Sequence, residues 1–196
     1  MQRRTEIIKE SDLVKRYGFR LEEVIFRHER YDGNMSGEIV RLNFDRGDSV
    51  AAVVHDPRFD SVVLIEQFRY SAYKNGHGWI IELPAGMILP KDGGDPKRAL
   101  IRELREEIGY KAENLIRIMT FYPSVGGSSE RVFLYYVAVS EKDRIGDGGG
   151  REDEGEDIRC LFLQVDEAIR KVDEGLILDA KTIIGLQWLR QNRHAV

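Results

Sequence analysis

The sequence predicts an α+β protein, a layered sandwich of strands and helices. Three observations carry that expectation. Strand-like runs fill most of the first eighty residues, a helical period first takes over at residues 95–109, and two further helical stretches close the chain after more strands.

Residues 19–27 alternate loosely, with Phe19, Leu21 and Ile25 apolar, and Asp32-Gly33-Asn34 is a turn signal before residues 38–44, so a hairpin is expected. Residues 49–54 and 62–68 are β-branched runs separated by Asp56-Pro57-Arg58, where Pro57 has no ladder donor to give. Residues 79–83 form a short strand ended by Pro84. Asp95 and Pro96 then suit a helix N-cap and first position. Ala99, Leu100, Leu104 and Ile108 recur at helical spacing up to a Gly109 stop. Strands are expected at 115–121, 132–139 and 158–163, and helices at 165–172 and 180–189.

The chain has 196 residues, long enough to bury roughly 70 % of its unfolded surface without disulfides. Its one cysteine, Cys160, cannot form an internal disulfide and is expected to be a buried, inert thiol. The four histidines show no metal-ligand spacing. The net charge of −4 argues against general nucleic-acid binding. No apolar run approaches the ~20 residues of a membrane span, and Met1-Gln2-Arg3-Arg4 leads into no signal-like segment, so the expected setting is the cytoplasm with no membrane partner.

The strongest chemical signal is Arg102-Glu103-Leu104-Arg105-Glu106-Glu107-Ile108-Gly109-Tyr110. On a helix Glu103, Glu106 and Glu107 share one side, next to an apolar stripe of Leu100, Leu104 and Ile108. Two carboxylates partly buried ~5 Å apart repel by about 3 kcal/mol at an effective dielectric of 20. A divalent cation removes that penalty, and magnesium suits carboxylate oxygens.

This string resembles the second half of the Nudix hydrolase signature, G-x5-E-x7-R-E-U-x-E-E-x-G-U, where U is a bulky apolar residue. Leu83-Pro84-Ala85-Gly86-Met87-Ile88 resembles its entry in the ADP-ribose pyrophosphatase branch. Glu154-Gly155-Glu156-Asp157-Ile158 matches the E-x-E-D-I core of the catalytic loop in the ADP-ribose and GDP-mannose pyrophosphatases. The strand Val63-Leu64-Ile65-Glu66-Gln67-Phe68-Arg69, the loop Pro123 to Glu130, the helix entry Asp179-Ala180-Lys181-Thr182 and the run Ile184 to Leu189 all resemble segments of the same branches.

The resemblance implies a Nudix fold, an α/β/α sandwich of mixed sheets over residues 49–196, and an N-terminal antiparallel β subdomain over residues 1–48 that packs on a partner in a homodimer. It implies magnesium, replaceable by manganese, on Glu103, Glu107, Glu156 and the carbonyl of Ala85, with Glu106 an extra ligand or catalytic group. Glu154 is the implied general base, with Glu152 and Asp153 as rivals. Arg41, Arg69, Glu82, Glu130 and Lys181 are the implied substrate contacts. The implied reaction is hydrolysis of the pyrophosphate bond of a nucleoside diphosphate sugar, GDP-mannose or ADP-ribose.

The first half departs from the signature. The interval from Gly86 to Arg102 is two residues longer, and alignment back from Arg102 puts Gly94 at the first glutamate. In the family that glutamate supports the helix region, and Asp92 and Asp95 are the candidates to replace it. Residues 89–94 are then expected as a flexible bulge. The departure also leaves a second reading, a catalytically weak or silent sensor that binds ADP-ribose or a nucleotide sugar.

Overall fold

The computed structural model describes residues 3–196; Met1 and Gln2, the start of the expected N-terminal region, lie outside the described residues. The chain forms two compact units.

The first unit comprises the residues up to Gly47 together with Tyr122–Arg131. Its core is an antiparallel sheet of β1 (Thr5–Arg16), β2 (Phe19–His28) and β3 (Ile39–Asp45) in that order. Tyr17 and Gly18, both at positive φ, make the two-residue turn between β1 and β2. The expected hairpin between residues 19–27 and 38–44 is present as β2–β3, with Leu21 opposite Phe44 and Phe26 opposite Ile39. In its connection the Asp32 side chain accepts the Asn34 N–H at 3.0 Å, the Asx geometry that turn residues favour. The segment 122–131 closes onto β3, where the Phe44 N–H donates to the Gly127 carbonyl at 2.8 Å and the Ser128 hydroxyl to the Phe44 carbonyl at 2.9 Å. Ile7, Leu13, Val14, Val40, Leu42 and Phe44 stand exposed on this sheet.

The second unit, Asp48–Phe121 with Val132–Val196, holds a seven-stranded mixed sheet. Its strands are β4 (Ser49–Asp56), β5 (Ser61–Phe68), β6 (Trp79–Glu82), β7 (Ala85–Met87), β8 (Leu115–Phe121), β9 (Val132–Ala138) and β10 (Arg159–Gln164). The main order is β10-β5-β4-β9-β8, with β6 paired to β5 and β7 to β4. β4 and β9 run parallel and the other pairs antiparallel.

The helices are α1 (Tyr70–Tyr73), α2 (Pro96–Ile108), α3 (Val165–Asp173) and α4 (Ala180–Asn192). Side chains alternate across a strand, so β4 divides its residues between two cores. Val50, Ala52 and Val54 pack with Leu100, Leu104 and Ile108 of α2. Ala51 and Val53 pack with Ala168 and Ile169 of α3 and Leu186 and Leu189 of α4. This is the α/β/α sandwich of mixed strands that the sequence resemblance implied. Gly185 lets α4 approach the sheet, since a Cβ there would sit 2.8 Å from both Leu83 and Val53 side chains.

Asp95 caps α2 as expected, accepting the Lys97 N–H at 2.9 Å, and Gly109 ends the helix in the left-handed conformation. Three features went beyond the sequence pattern: β1, the short β7 after Pro84, and α1. Cys160 is only partly buried, because it lies near the start of β10 with its thiol directed at the Glu107 carbonyl, 3.5 Å away. Among the described residues no helix is long and apolar enough to cross a membrane.

Candidate active site

The site grows from α2. Glu103 and Glu107, four apart, both turn inward with Leu100 and Leu104, leaving 7 % and 1 % of each glutamate exposed. Glu107 Oε2 accepts the Ala85 N–H at 2.9 Å. Burial drives the Glu107 pKa well above the usual carboxylate range, and the charges of Glu103, Glu82 and Glu156 add to the effect. Burial raises Glu103 as well, against the pull of the Arg102 guanidinium 2.7 Å away. Gly86 is required by this packing, because a Cβ there would fall on the Glu103 carboxylate.

The acidic loop after β9 is stitched to the end of α2. The last carbonyls of a helix lack helical partners. Here the Ile145, Gly149 and Gly150 N–H groups donate to Gly109, Glu107 and Glu106 carbonyls at 2.7, 2.9 and 3.1 Å. Gly148 has no room for a side chain, since its Cβ would collide with the Glu107 backbone. The half-buried Glu156 then accepts the Arg151 N–H at 2.9 Å and adds its charge to that of Glu103 and Glu107. Glu154 lies exposed with Oε1 3.3 Å from the Arg151 guanidinium. Glu106 is held by Arg102 at 3.2 Å and by Arg151 at 3.7 Å.

Arg102 has a second role. Its Nε and Nη2 donate to the two oxygens of Asp92 at 3.1 and 3.0 Å, and Nη2 also reaches the Met87 carbonyl at 3.0 Å. Asp92, 5 % exposed, additionally accepts the Leu89 N–H at 2.8 Å. Of the two candidates for the missing glutamate, Asp92 makes the contact and Asp95 does not. Residues 89–94, expected as a flexible bulge, contain an ordered 3₁₀ turn over Pro90–Asp92 because Asp92 ties both its ends. Gly94, at φ +75°, only turns the chain into α2.

On the other side of Ala85, Glu82 is 2 % exposed and bridges two cations. Arg69 Nε donates to Oε1 at 2.7 Å and Lys181 Nζ is bonded to Oε2. Burial alone would raise the Glu82 pKa, but Lys181 and Arg69 outweigh it and hold the carboxyl low. Asp179, 3.1 Å from Lys181, caps α4 by accepting the Thr182 N–H at 3.0 Å. The fully buried Thr182 hydroxyl accepts the Leu83 N–H at 2.8 Å and donates to Asp179 at 2.6 Å. The start of α4 is thereby latched to the strand end that leads into Ala85.

Nine of the eleven sequence-derived site residues therefore lie in the second unit: Arg69, Glu82, Ala85, Glu103, Glu106, Glu107, Glu154, Glu156 and Lys181. Arg41 and Glu130 belong to the first unit. Arg41 lies exposed on β3, and Glu130 sits 3.8 Å from Arg46. Sequence reasoning missed the roles of Arg151 and Thr182; a lone arginine inside an acidic loop was the available signal for the first.

Among the described residues no three acidic, histidine or cysteine side chains already converge as a metal cage. The donor set nevertheless suits a hard dication: buried, desolvated Glu103 and Glu107, nearby Glu156, and oxygen ligands throughout.

Comparison with known proteins decides the family, since a profile of the NUDIX domain matches residues 45–183. This chain belongs to the Nudix family. An ADP-ribose pyrophosphatase of Escherichia coli K12 is 37% identical over 194 residues, covering 97% of this chain and 90% of that one. A GDP-mannose pyrophosphatase of Cronobacter sakazakii is 35% identical over 195 residues, covering 97% of both chains. A solved ADP compounds hydrolase superposes with a TM-score of 0.71 over 97% of both chains at 19% identity, which supports the fold. Nudix enzymes typically depend on divalent metals.

Proposed function

We propose that this Nudix protein hydrolyses the pyrophosphate bond of nucleoside diphosphate sugars, releasing a nucleoside monophosphate and a sugar phosphate. One observation carries the reading: two buried, desolvated carboxylates, Glu103 and Glu107, lie on the helix next to an acidic loop, and a bridged pair of cations adjoins Ala85. Buried carboxylate charge that lacks full compensation is unfavourable, and a divalent ion balances it while also binding the phosphate oxygens of a substrate. The relatives named for ADP-ribose and GDP-mannose pyrophosphatases support the same substrate class.

Glu103, Glu107, Glu156 and the Ala85 carbonyl would hold the ions, with Glu106 as a further ligand. When bound, magnesium neutralises a diphosphate and acidifies water. Arg69 and Lys181 grip the phosphate oxygens, and their fixed spacing on Glu82 orients the chain of the substrate. The Glu154 carboxylate takes a proton from the attacking water. Water oxygen bonds to phosphorus, the bond from phosphorus to the bridging oxygen breaks, and the bridging oxygen leaves on the other phosphate.

The exposed apolar side chains of the N-terminal sheet, among them Ile7, Leu13, Val40 and Leu42, support a homodimer built on residues 1–48. Arg41 and Glu130 remain in this reading as substrate contacts.

The test is a panel of ADP-ribose, GDP-mannose and other nucleotide sugars, with and without Mg2+, on wild type, Glu107→Gln and Glu154→Gln. Mg2+-dependent release of nucleoside monophosphate, lost in both variants, is expected. Hydrolysis untouched by either substitution overturns the site, and saturable binding without turnover favours a sensor.

A further inference from the structure

Arg151 stands at the entrance to the acidic turn Glu152–Glu154, and its backbone and side chain do separate jobs. The backbone shapes the loop: the N–H donates to Glu156 Oε2 at 2.9 Å, and the carbonyl accepts the Glu154 and Glu156 N–H groups at 3.0 and 3.1 Å. The guanidinium gathers charge. Nε donates to Asp153 Oδ1 at 3.0 Å and lies 3.3 Å from Glu154 Oε1, and Nη1 lies 3.7 Å from Glu106 Oε1. The other Glu106 oxygen is held by Arg102 at 3.2 Å, so Glu106 sits between two guanidinium groups.

We propose that Arg151 is an internal counter-cation of the metal-free site, and that it lowers the affinity for divalent ions by competing with them for Glu106. This rests on the metal-site reading given above. The acidic loop brings Glu152, Asp153, Glu154 and Glu156 within five residues and packs them against a helix end that already carries Glu103, Glu106 and Glu107. Without a positive charge, these groups repel one another in the folded state. A guanidinium has the fork to touch several carboxylates at once. A dication entering among the same oxygens repels it, and the arginine has to give them up. Arg151 is then a positioning residue: it prepares the loop before the metal arrives and sets how strongly the metal is held.

The test uses Mn2+ alone, titrated into metal-free protein while free Mn2+ is followed by electron paramagnetic resonance. Wild type is compared with Arg151→Met, Arg151→Gln and Arg151→Lys, and the metal-free and Mn2+-saturated Tm values are recorded. None of these substitutions touches the backbone bonds to Glu154 and Glu156. The Met and Gln variants are expected to bind Mn2+ about three- to fivefold more tightly, the scale of an exposed ion pair. Their metal-free Tm is expected to fall and the rise in Tm on adding Mn2+ to grow. The Lys variant keeps the charge and is expected to stay within about twofold of wild type. Unchanged or weaker Mn2+ binding in both uncharged variants, with wild type binding normally, overturns the role of Arg151 alone. A wild type with no saturable Mn2+ binding overturns the metal-site reading and this inference together.

Discussion

Replacing Asp92 by alanine should destabilise the protein far more than the same change at Asp95. The two residues are three apart, and both were candidates for the same supporting role. Asp92 is 5 % exposed and accepts two hydrogen bonds from an Arg102 that is itself only 16 % exposed. Removing one partner of a buried ion pair costs about 3–5 kcal/mol, because the other charge stays behind in low dielectric. Arg102 keeps Glu103, Glu106 and the Met87 carbonyl, which places the pair near the lower end. The alanine also orphans the Leu89 N–H, worth about 1–3 kcal/mol more. For a chain of this length that total of about 4–6 kcal/mol corresponds to a Tm drop of about 8–24 °C. Asp95→Ala loses one exposed N-cap bond, about 1 kcal/mol. Asp92→Asn, which keeps the shape, should fall between them. The hydrogen bonds from Arg102 hold the Asp92 pKa below its ordinary value. Its stabilisation is therefore present above the unfolded value of about 3.9 and lost as pH falls through the lower folded value. Calorimetric melts of wild type and the three variants at pH 7, with a pH series comparing wild type and Asp92→Asn, measure all of this. An Asp95→Ala loss equal to or larger than that of Asp92→Ala would refute the clamp.

Gly86→Ala places a methyl on the Glu103 carboxylate and is expected to lower kcat/KM by about 10²-fold with far-UV circular dichroism unchanged; full activity would contradict the close approach. Glu82→Gln releases Arg69 and Lys181 from their common anchor and should reduce kcat/KM at least about tenfold, chiefly through KM, measured by steady-state kinetics. His55 is buried against Tyr136, and burial lowers its pKa despite Asp60. A depressed histidine pKa means the unfolded chain takes up the proton first, so stability should fall as pH drops below about 6.5. His55→Gln should flatten that limb of the Tm–pH curve. Gly185→Ala should lower Tm despite the better helix propensity of alanine, because the new Cβ meets Leu83 and Val53 at 2.8 Å.

The elements with an unbroken period were legible in the sequence. α2 announces itself through Asp95, Pro96, the Leu100–Leu104–Ile108 stripe and Gly109, and the structure ends it at those signals. β4 and β5 are continuous apolar runs because both faces are covered. β1 was harder to read, since it is charged and mostly exposed and gains its order by pairing along β2. β7 follows directly on Pro84 and is only three residues long, too short for a period. At the site, the carboxylates of α2 and the acidic loop could be placed from the motifs alone. What sequence could not supply was the tertiary partner of each group: that Asp92 rather than Asp95 or Gly94 meets Arg102, that Glu82 spans two cations, and that Thr182 ties α4 to Leu83. Those pairings join residues ten to ninety-nine positions apart, which local patterns do not encode.

Anomalous diffraction from crystals grown with Mn2+ and a non-hydrolysable nucleoside diphosphate sugar gives the most direct check on whether oxygen ligands from Glu103, Glu107, Glu156 and Ala85 gather divalent ions beside a diphosphate. Manganese peaks within bonding distance of those oxygens, with the diphosphate between them and Arg69, are expected. A bound analogue with no manganese on the carboxylates of α2 would contradict it.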